Sequence, residues 1–580
     1  MNEIQARLAA LRAKLSERGM AACLMPTSGP HGPEYLTPHH RARQYFSGFT
    51  GSAGTLLVTA AEAFLWTDGR YFLQAEQELA STGITLMRMG EPDVPSLEDY
   101  FLEHLAGQTV GVDGACLPAR DALRYSQIVR LRCEDLAQGL WQGRPPLSAA
   151  PAYALPLEYA GVSAAKKLHA LRSLLLQQGC RAHIISALCD IAWLLNLRGS
   201  DIPHTPVPLC FCAVEQSAVY LFMDAAKAAP ALTHLRQAGV TLLPYAAIYT
   251  FAKRYGAGDA LLIDAGTLDY NLFCALREGG AALRDAEQPP IPYKKMIKNA
   301  AELAALRQAH LYDGIALVRF MRWVQTNAGQ VTELSAARKL NALRLACPGC
   351  VDISFDTICA YGPHGAIVHY SATAQSDSPL LPQGLLLVDS GGQYQGATTD
   401  VTRTLALGVV TPEQKKHYTL VLRGMLALQC ARFAPGADGA QLDRLAREPL
   451  QQQGLDYKHG TGHGVGAMLS VHEPPVSIAA GRASVPFLPG MVVSDEPGVY
   501  IENSHGIRIE NQLECVAEGG MLAFAPLTLA PIDTAPIDPA YFTSEDAARL
   551  NAYHAKVYAA LSPHLNAEEC AWLQGATRPI

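Results

Sequence analysis

The sequence has no long block of lysines or arginines, and its basic residues are fewer than its acidic ones. Lys and Arg total 46 against 53 Asp and Glu, which gives a net charge of −7 at pH 7. A protein that binds nucleic acid or an anionic membrane needs a concentrated positive surface. We therefore expect neither nucleic acid nor a membrane as a partner.

Long apolar runs are also absent. No segment approaches the ~18–20 apolar residues that a helix needs to cross a bilayer. The opening stretch, MNEIQARLAALRAKLSERG, carries charges throughout, as an amphipathic helix does, and lacks the apolar core of a secretory signal. These features predict a globular protein without a membrane anchor.

Paired cysteines are scarce, although the chain has 14 cysteines. The one CxxC pair, Cys347 and Cys350, has neither a second pair nor nearby histidines, so it is a poor zinc site. Several other cysteines lie inside apolar runs, as small core residues do. The pattern is typical of the reducing cytoplasm.

One helix-then-strand pattern occurs twice in the first half of the chain. Residues 10–19 read ALRAKLSERG and residues 170–179 read ALRSLLLQQG, each followed by a short apolar segment. Two related α/β units in tandem are therefore expected. Proline-rich connectors at 143–159 and 287–295 place the domain limits at 1–155, 156–295 and 296–580.

The third region holds a set of residues that can bind metal. Four carboxylates and one imidazole can hold two divalent cations if two of the carboxylates are shared. In chain order these residues are Asp389, Asp400, His463, Glu496 and Glu510.

Asp389 ends an apolar run and Asp400 opens an alternating one, with a turn-rich stretch between them. Two strands joined through Gln393–Gly396 would form a hairpin in which Asp389 lies directly opposite Asp400. Opposed side chains in such a pair have Cβ atoms ~4.5–5.5 Å apart, so these carboxylates would repel without a cation. The alternative is a pair of turn aspartates.

A second hairpin is predicted between Glu496 and Glu510, with its turn near Asn503–Gly506. Arg508 lies two residues before Glu510, so both side chains point to the same face of the strand. An arginine there can orient a carboxylate that binds metal. A surface ion pair is the other interpretation of Arg508.

His463 lies in the sequence GTGHGVG, where alternate glycines allow the backbone to approach a ligand closely. The spacing is not that of a dinucleotide-binding loop. Two other motifs fail. Ser390, in VDSGGQ, lacks the setting of a catalytic triad. His472 begins HEPP, whose prolines forbid the helix that the zinc motif HExxH requires.

Together these motifs resemble the pita-bread metallopeptidases, the family of methionine aminopeptidase, prolidase and Xaa-Pro aminopeptidase. The likeness is carried by the ordered acidic and histidine residues and by HGTGHGVG, VHE, DEPG and GIRIEN. In the first two units it is carried by YFSGFTGSAGT and DIAWLLNLRGSDIPHTPV. The sequence is most similar to the long, three-domain cytosolic form of aminopeptidase P.

The resemblance implies a fold and a metal site. Two creatinase-like α/β domains would precede a pita-bread α/β catalytic domain, a curved antiparallel sheet covered by helices. Asp389 would bind one metal, while Asp400 and Glu510 bridge both. His463 and Glu496 would complete the coordination of the second metal. Manganese suits this oxygen-rich set, with cobalt or zinc as substitutes.

The resemblance also implies how substrate is bound. His369 and His472 would face the peptide and the tetrahedral intermediate, and His463 and Glu496 would also contact substrate. Arg43, before YFSGF, aligns with an arginine implicated in peptide binding. Glu496 would exchange the proton of the attacking water.

The expected activity is removal of the first residue from peptides that have proline in second position. The family also implies a homodimer. Two alternatives remain. Prolidase has the same site but cleaves only dipeptides, and the two additional N-terminal domains argue against it. A pita-bread protein that has lost its metals would be a binding module, but such proteins lack one or more ligands.

Overall fold

A computed structural model describes residues 2–32, 36–481 and 484–580. The chain divides into two compact units, Met1–Leu157 with Val162–Ile291, and Glu158–Gly161 with Pro292–Ile580. In the described ranges, no helix is both long enough and apolar enough to cross a membrane. All five residues of the expected metal site lie in the second unit.

The first unit contains two six-stranded sheets of the same topology. In both sheets the strands follow the order 4-3-2-1-5-6, and strand 1 pairs antiparallel with strand 2 and parallel with strand 5. The first sheet comprises β1 to β6. The second comprises β8 and β10 to β14, and β7 pairs with β9. Their bounds are β1 Ala22–Pro26, β2 Thr55–Thr59, β3 Ala63–Thr67, β4 Thr85–Arg88, β5 Thr109–Val112, β6 Arg130–Cys133, β7 Tyr153–Ala154, β8 Ala182–Ile185, β9 Leu197–Arg198, β10 Phe211–Glu215, β11 Val219–Phe222, β12 Val240–Leu243, β13 Ala260–Ile263 and β14 Ala282–Asp285.

The helix before each sheet shows why the topology repeats. Helices α1 (Glu3–Arg18) and α7 (Ala164–Gln177) each bury three leucines at the same spacing: Leu8, Leu11 and Leu15 in the first, and Leu168, Leu171 and Leu175 in the second. Each is followed by a glycine with a φ of +62°, Gly19 or Gly179, which lets the chain turn into the strand. The prediction of two related α/β units is confirmed.

The second unit consists of antiparallel strands covered by helices. Its strands are β15 Cys350–Ile353, β16 Ile358–Tyr361, β17 Leu385–Ser390, β18 Gly392–Tyr394, β19 Ala397–Thr398, β20 Val401–Ala406, β21 Arg432–Phe433, β22 Gly462–His463, β23 Ser477–Ile478, β24 Val492–Asp495, β25 Gly498–Ile501, β26 His505–Arg508, β27 Asn511–Glu518 and β28 Met521–Pro526. Its helices are α13 Pro292–Lys295, α14 Ala300–Asn327, α15 Glu333–Leu345, α16 Pro412–Gln429, α17 Gly439–Gln451, α18 Ser544–Leu561 and α19 Ala567–Ala576. Helix α6, Leu157–Ala160, falls mainly in this unit as well.

Besides α1 and α7, the helices of the first unit are α2 Ala42–Ser47, α3 Phe72–Leu79, α4 Leu97–Tyr100, α5 Ala119–Tyr125, α8 Leu188–Leu195, α9 Ala225–Ala228, α10 Leu232–Gln237, α11 Ile248–Ala252 and α12 Tyr270–Gly279.

The helices of the second unit begin at well-formed caps and share one apolar core. At the start of α14, the side chain of Asn299 accepts from the amide of Glu302, whose own side chain accepts from the amide of Asn299. Helices α14, α16 and α18 contribute the fully buried Val318, Tyr418 and Val557 to one core. The predicted helix-covered antiparallel domain is confirmed.

The register of the first hairpin differs from the prediction. Strand β17 pairs with β20 so that Asp389 lies opposite Thr402, and Asp400 is displaced diagonally by two residues. The turn is the cause. It is formed by Gln395 and Gly396, one residue later than expected, because Gly396 adopts a φ of +77° that favours glycine. Asp400 and Thr402 nevertheless share a face, since alternate residues of a strand do.

The second predicted hairpin is present, formed by β25 and β26. Its turn is centred on Asn503, which has a φ of +58°, and Gly506 lies within β26 instead of in the turn. Gly506 crosses the backbone at Gly365, and a Cβ added to Gly506 would lie 1.6 Å from the carbonyl oxygen of Gly365. This crossing fixes the segment that leads to His369 against β26.

Replacing Gly506 by alanine should therefore destabilise the second unit, because the two backbones must separate. Overpacking of this kind costs about 1–3 kcal/mol. Thermal or urea unfolding measures the loss. Gly575→Ala is the matched control, since a Cβ there meets nothing within 4 Å. Equal unfolding midpoints for wild type and Gly506→Ala would contradict this account of the crossing.

Candidate metal centre and active site

A cluster of acidic groups surrounds the ring of His463. One donor atom from each of Asp400, His463 and Glu510 lies within 4.8 Å of the others. Nε2 of His463 is 3.5 Å from Oδ2 of Asp400 and 3.4 Å from Oε1 of Glu496. Four of the five residues expected at the metal site are therefore brought together by these distances alone.

Arg508 and Thr402 link Asp389 to the same cluster. The guanidinium of Arg508 donates to Oδ2 of Asp389 at 2.6 Å and to Oγ1 of Thr402 at 3.3 Å. Thr402 in turn donates to Oε2 of Glu510 at 2.7 Å. Arg508 is 1% exposed, so the surface ion pair considered for it is excluded.

The donor set fits divalent cations. Among the described residues, nothing hydrogen-bonds Oδ1 of Asp389 or Oε1 of Glu510, although both atoms are buried. A buried carboxylate oxygen without a partner is costly unless a cation binds it. Carboxylate oxygens with one imidazole are ligands that manganese, cobalt and zinc accept. The residues present therefore suit a pair of divalent metals.

Burial and mutual repulsion dominate the electrostatics of the carboxylates. Burial raises the pKa of Glu510 well above its usual value, and the charge of Asp400 raises it further. Burial also raises the pKa of Asp389, although Arg508 opposes the shift, and it raises the pKa of Glu496 to about 7. These groups resist ionisation together unless positive charge is supplied.

The ring of His463 is oriented by its own backbone. Nδ1 donates to the carbonyl oxygen of Gly464 at 2.9 Å, which leaves Nε2 facing the carboxylates. Burial would lower the pKa of His463, but the bond to Asp400 and the charge of Glu496 raise it to about 9. A cation at Nε2 would replace the proton that this pKa describes.

Sequence reasoning missed two residues that hold the cluster. Oγ of Ser494 accepts from the amide of His463 at 3.0 Å and donates to Oε1 of Glu496 at 3.1 Å. Arg403, fully buried, donates to the carbonyl oxygens of Thr402 and Glu510. Ser494 lies two residues before Glu496, so strand alternation could have indicated it. The contacts of Arg403 are long-range and left no such signal.

Of the two histidines expected on the substrate side, His472 lies beside the cluster, and His369 follows a residue whose backbone contacts it. The ring centroid of His472 is 4.3 Å from that of His463, with an interplanar angle of 86°. His369 follows Val368, whose carbonyl oxygen accepts from the Arg508 guanidinium at 3.4 Å. Both histidines are half-buried, so each is partly open to solvent.

Tyr500 extends the network outward from the cluster. Its hydroxyl lies 2.8 Å from Nη1 of Arg508 and 2.8 Å from Nε2 of His459. His459 belongs to the same glycine-rich stretch as His463. The network therefore connects this stretch to the arginine that holds Asp389.

Arg43 occupies a structural position in the first unit. It is 5% exposed, and its guanidinium donates to Thr27 and to the carbonyl oxygens of Phe49 and Gly51. These bonds stabilise the loop after α2. They give no support to the expected peptide-binding role of Arg43.

The motifs rejected from the sequence are inert in the structure. Ser390 is fully buried, which excludes it as an exposed nucleophile. Cys347 and Cys350 are free thiols, and burial raises their pKa values to about 11 and about 12. Reactive thiols have lowered pKa values, so the pair is not a reactive centre.

Comparisons with known proteins agree with this geometry. Residues 304–517 match metallopeptidase family M24, and residues 520–580 match the C-terminal region of peptidase M24. Residues 7–144 and 143–302 match two creatinase/prolidase N-terminal domain families.

The chain is also similar over its whole length to curated and solved proteins. Aminopeptidase P2 of Arabidopsis thaliana is 38% identical, over 100% of this chain and 89% of its own. A probable Xaa-Pro aminopeptidase P of Paracoccidioides brasiliensis is 36% identical over 99% of both chains. The crystal structure of X-prolyl aminopeptidase from Caenorhabditis elegans, described as a cytosolic enzyme with a di-nuclear active site, has a TM-score of 0.95 and 32% identity over 100% of both chains.

The titration of this cluster gives a pH-dependent prediction for the metal-free protein. A carboxyl group whose pKa is higher in the folded state destabilises the fold as pH rises, because an ion must then be buried. The pKa of Glu496 is raised to about 7, so this group destabilises the fold increasingly as pH rises toward about 7. The ion pairs of His463 stabilise the fold at low pH and are lost as pH rises toward its pKa of about 9.

Both effects have the same sign, so the unfolding midpoint of chelated protein should fall between about pH 6 and about pH 8. Divalent cations remove the repulsion, and at a hundredfold excess over Kd a ligand adds about 2.7 kcal/mol. The gain in midpoint on adding manganese should be larger at the higher pH. Scanning calorimetry with chelator and with metal measures it. An equal gain at both pH values would contradict the prediction.

Proposed function

We propose a specific reaction for this chain from the premise that it belongs to metallopeptidase family M24, among the Xaa-Pro aminopeptidases. It is a metal-dependent hydrolase. The reaction is removal of the N-terminal residue from peptides that have proline in second position. The observation that carries the proposal is the cluster of Asp400, Glu496 and Glu510 around His463, with Asp389 joined to it through Arg508 and two buried carboxylate oxygens that no described group bonds.

Two divalent cations would be held by this cluster. Asp389, Asp400, His463, Glu496 and Glu510 would hold them. When bound, the pair supplies a water of pKa near ~7 and polarises the scissile carbonyl. Manganese is the preferred metal for so oxygen-rich a set, with cobalt or zinc as substitutes.

Glu496 handles the proton of the attacking water. A carboxylate beside the attacking water can accept its proton and return it to the leaving amine. Ser494 donates to one of its oxygens and so fixes the carboxylate while the proton moves. The bond from Arg508 favours the ionised form of Asp389, in opposition to the effect of burial.

His369 and His472 bind the substrate carbonyl and the charge that develops on it. Hydrogen-bond donors that are already in position, in a site partly shielded from water, stabilise such charge without reorganising. The position of His472 against the ring of His463 supports this role. The position of His369 next to Val368, which Arg508 holds, supports it too.

The choice of proline follows from the peptide bond. An Xaa-Pro bond has no N–H, and its ring restricts the backbone. Peptidases that dock substrate as a hydrogen-bonded strand handle such a bond poorly. A site that binds the free amine and the carbonyl of the substrate does not need the N–H that the Xaa-Pro bond lacks. The proline ring can then lie among groups such as His369 and His472.

The proposal extends to the organisation of the protein. We propose three domains, with limits at 1–155, 156–295 and 296–580. We also propose that the protein is cytoplasmic and assembles as a homodimer. The cytosolic description of the nematode enzyme and the full-length likeness to it support the location. The size of particles in solution, by light scattering, tests the dimer.

Replacing His369 or His472 by alanine should lower kcat and leave the metal bound. Neither side chain is a proposed ligand, and loss of one transition-state hydrogen bond costs ~10²–10³ in rate. Metal content by mass spectrometry and steady-state kinetics measure both effects. Loss of metal in either variant would move that histidine into the coordination of the metal.

Substrate choice is the direct test of the proposed reaction. Xaa-Pro-Yaa tripeptides and longer peptides should lose their first residue, and Xaa-Ala-Yaa should be much slower. Acetylated peptides should be resistant, because the amine can no longer reach the site. Chromatography of the products decides the outcome. Cleavage of Xaa-Pro dipeptides alone would indicate a prolidase, and equal rates on proline and alanine peptides a broader peptidase.

A further inference from the structure

Glu333, the first residue of α15, is a buried carboxylate outside the metal cluster. It is 0% exposed, and Oε1 accepts from the amide of Tyr361 at 2.7 Å and from Nδ1 of His364 at 2.9 Å. Oε2 accepts from the hydroxyl of Tyr370 at 2.9 Å and from the amide of Ser378 at 3.2 Å. All four donors belong to the single segment 361–378, which contains His369.

This carboxylate has no lysine or arginine partner within the described part of the chain. A buried carboxylate is stable only if hydrogen bonds replace its hydration. Glu333 therefore depends on the segment for its donors, and the segment depends on Glu333 for its shape. Each bond that is lost leaves a buried polar group unsatisfied. Other conformations of the segment are therefore disfavoured.

Capping of α15 does not explain Glu333. The helix is capped by Thr332, whose side chain accepts from the amide of Ser335, and Ser335 bonds back to the amide of Thr332. The helix start is thus complete without the carboxylate. The contacts of Glu333 serve the neighbouring segment.

The segment is held tightly on both sides of His369. The rings of His364 and Tyr370 stack with centroids 4.5 Å apart and an interplanar angle of 23°. Both of these side chains bond Glu333. His369 directly precedes Tyr370, so the carboxylate fixes the backbone from which the His369 side chain projects.

We propose that Glu333 is a positioning residue that sets His369 for catalysis through this hydrogen-bonded segment. The proposal rests on the proposed function, in which His369 binds the substrate carbonyl. Glu333 does not touch substrate or metal in this scheme. It acts by keeping His369 in place before substrate binds, so that little rate is lost to reorganisation.

A double-mutant cycle of Glu333→Gln and His369→Ala tests the proposal in the metal-loaded full-length protein. Glutamine cannot accept at its amide nitrogen, so it loses the bonds at one of the two carboxylate oxygens. We expect kcat to fall at least about tenfold with little change in KM and with metal retained. The double variant should be no slower than His369→Ala, because Glu333 acts only through that histidine.

Two further variants separate positioning from general destabilisation. Tyr370→Phe keeps the ring stack and the carboxylate but removes one donor, so kcat should fall in the same direction by less. Glu569→Gln is the matched control, since Glu569 is buried and, among the described residues, bonds only Arg319 and its own helix cap. It should lower stability without lowering kcat.

Hydrogen exchange provides a readout that needs no activity. Amides of residues 361–378 should exchange faster in Glu333→Gln and remain unchanged in Glu569→Gln. Additive effects in the cycle, an unchanged kcat or unchanged exchange would each overturn the positioning role. If wild-type protein fails to cleave Xaa-Pro-Yaa peptides, the proposed function falls, and exchange alone decides whether Glu333 holds the segment.

Discussion

Four carboxylates held close together, three of them buried and one half-buried, are the constraint on which the second unit depends. Burial and mutual repulsion raise the pKa of Glu510, and burial raises that of Glu496 to about 7. Arg508 and Thr402 compensate this charge in part, because they donate hydrogen bonds to the carboxylates. Oδ1 of Asp389 and Oε1 of Glu510 have no such partner among the described residues. Divalent cations supply what is missing, so stability and chemistry share one cause.

The fold brings these carboxylates together where β20 meets the chain just after β26. The amide of Glu510 donates to the carbonyl oxygen of Thr402 at 3.0 Å, and the amide of Arg508 donates to Oγ1 of Thr404 at 3.2 Å. Arg403 links the two segments, because it donates to the carbonyl oxygens of Thr402 and Glu510. The contacts between these two segments span more than 100 residues of sequence, so the site depends on long-range tertiary structure.

The residue types at the site could be predicted from the sequence, whereas their exact placement could not. The carboxylates, His463 and the repeated helix of the first unit all have local signatures in spacing or glycine pattern. The register of the first hairpin depended on one φ angle, that of Gly396, which moved the turn by one residue. Glu333 and Arg403 act through partners distant in sequence, so no local pattern marks them.

The segments of His369 and His472, the histidines proposed to bind substrate, are each held by a buried carboxylate that is not a proposed metal ligand. Glu333 holds the segment of His369 with uncharged backbone and side-chain donors and one histidine. Glu473, next to His472, is instead paired with the buried Lys295 and Lys298. Neither anchor includes a proposed metal ligand, so we expect loss of metal to change the charge of the cluster and to leave both anchors in place. In the proposed scheme the protein alone sets these histidines, which is what a preorganised site requires.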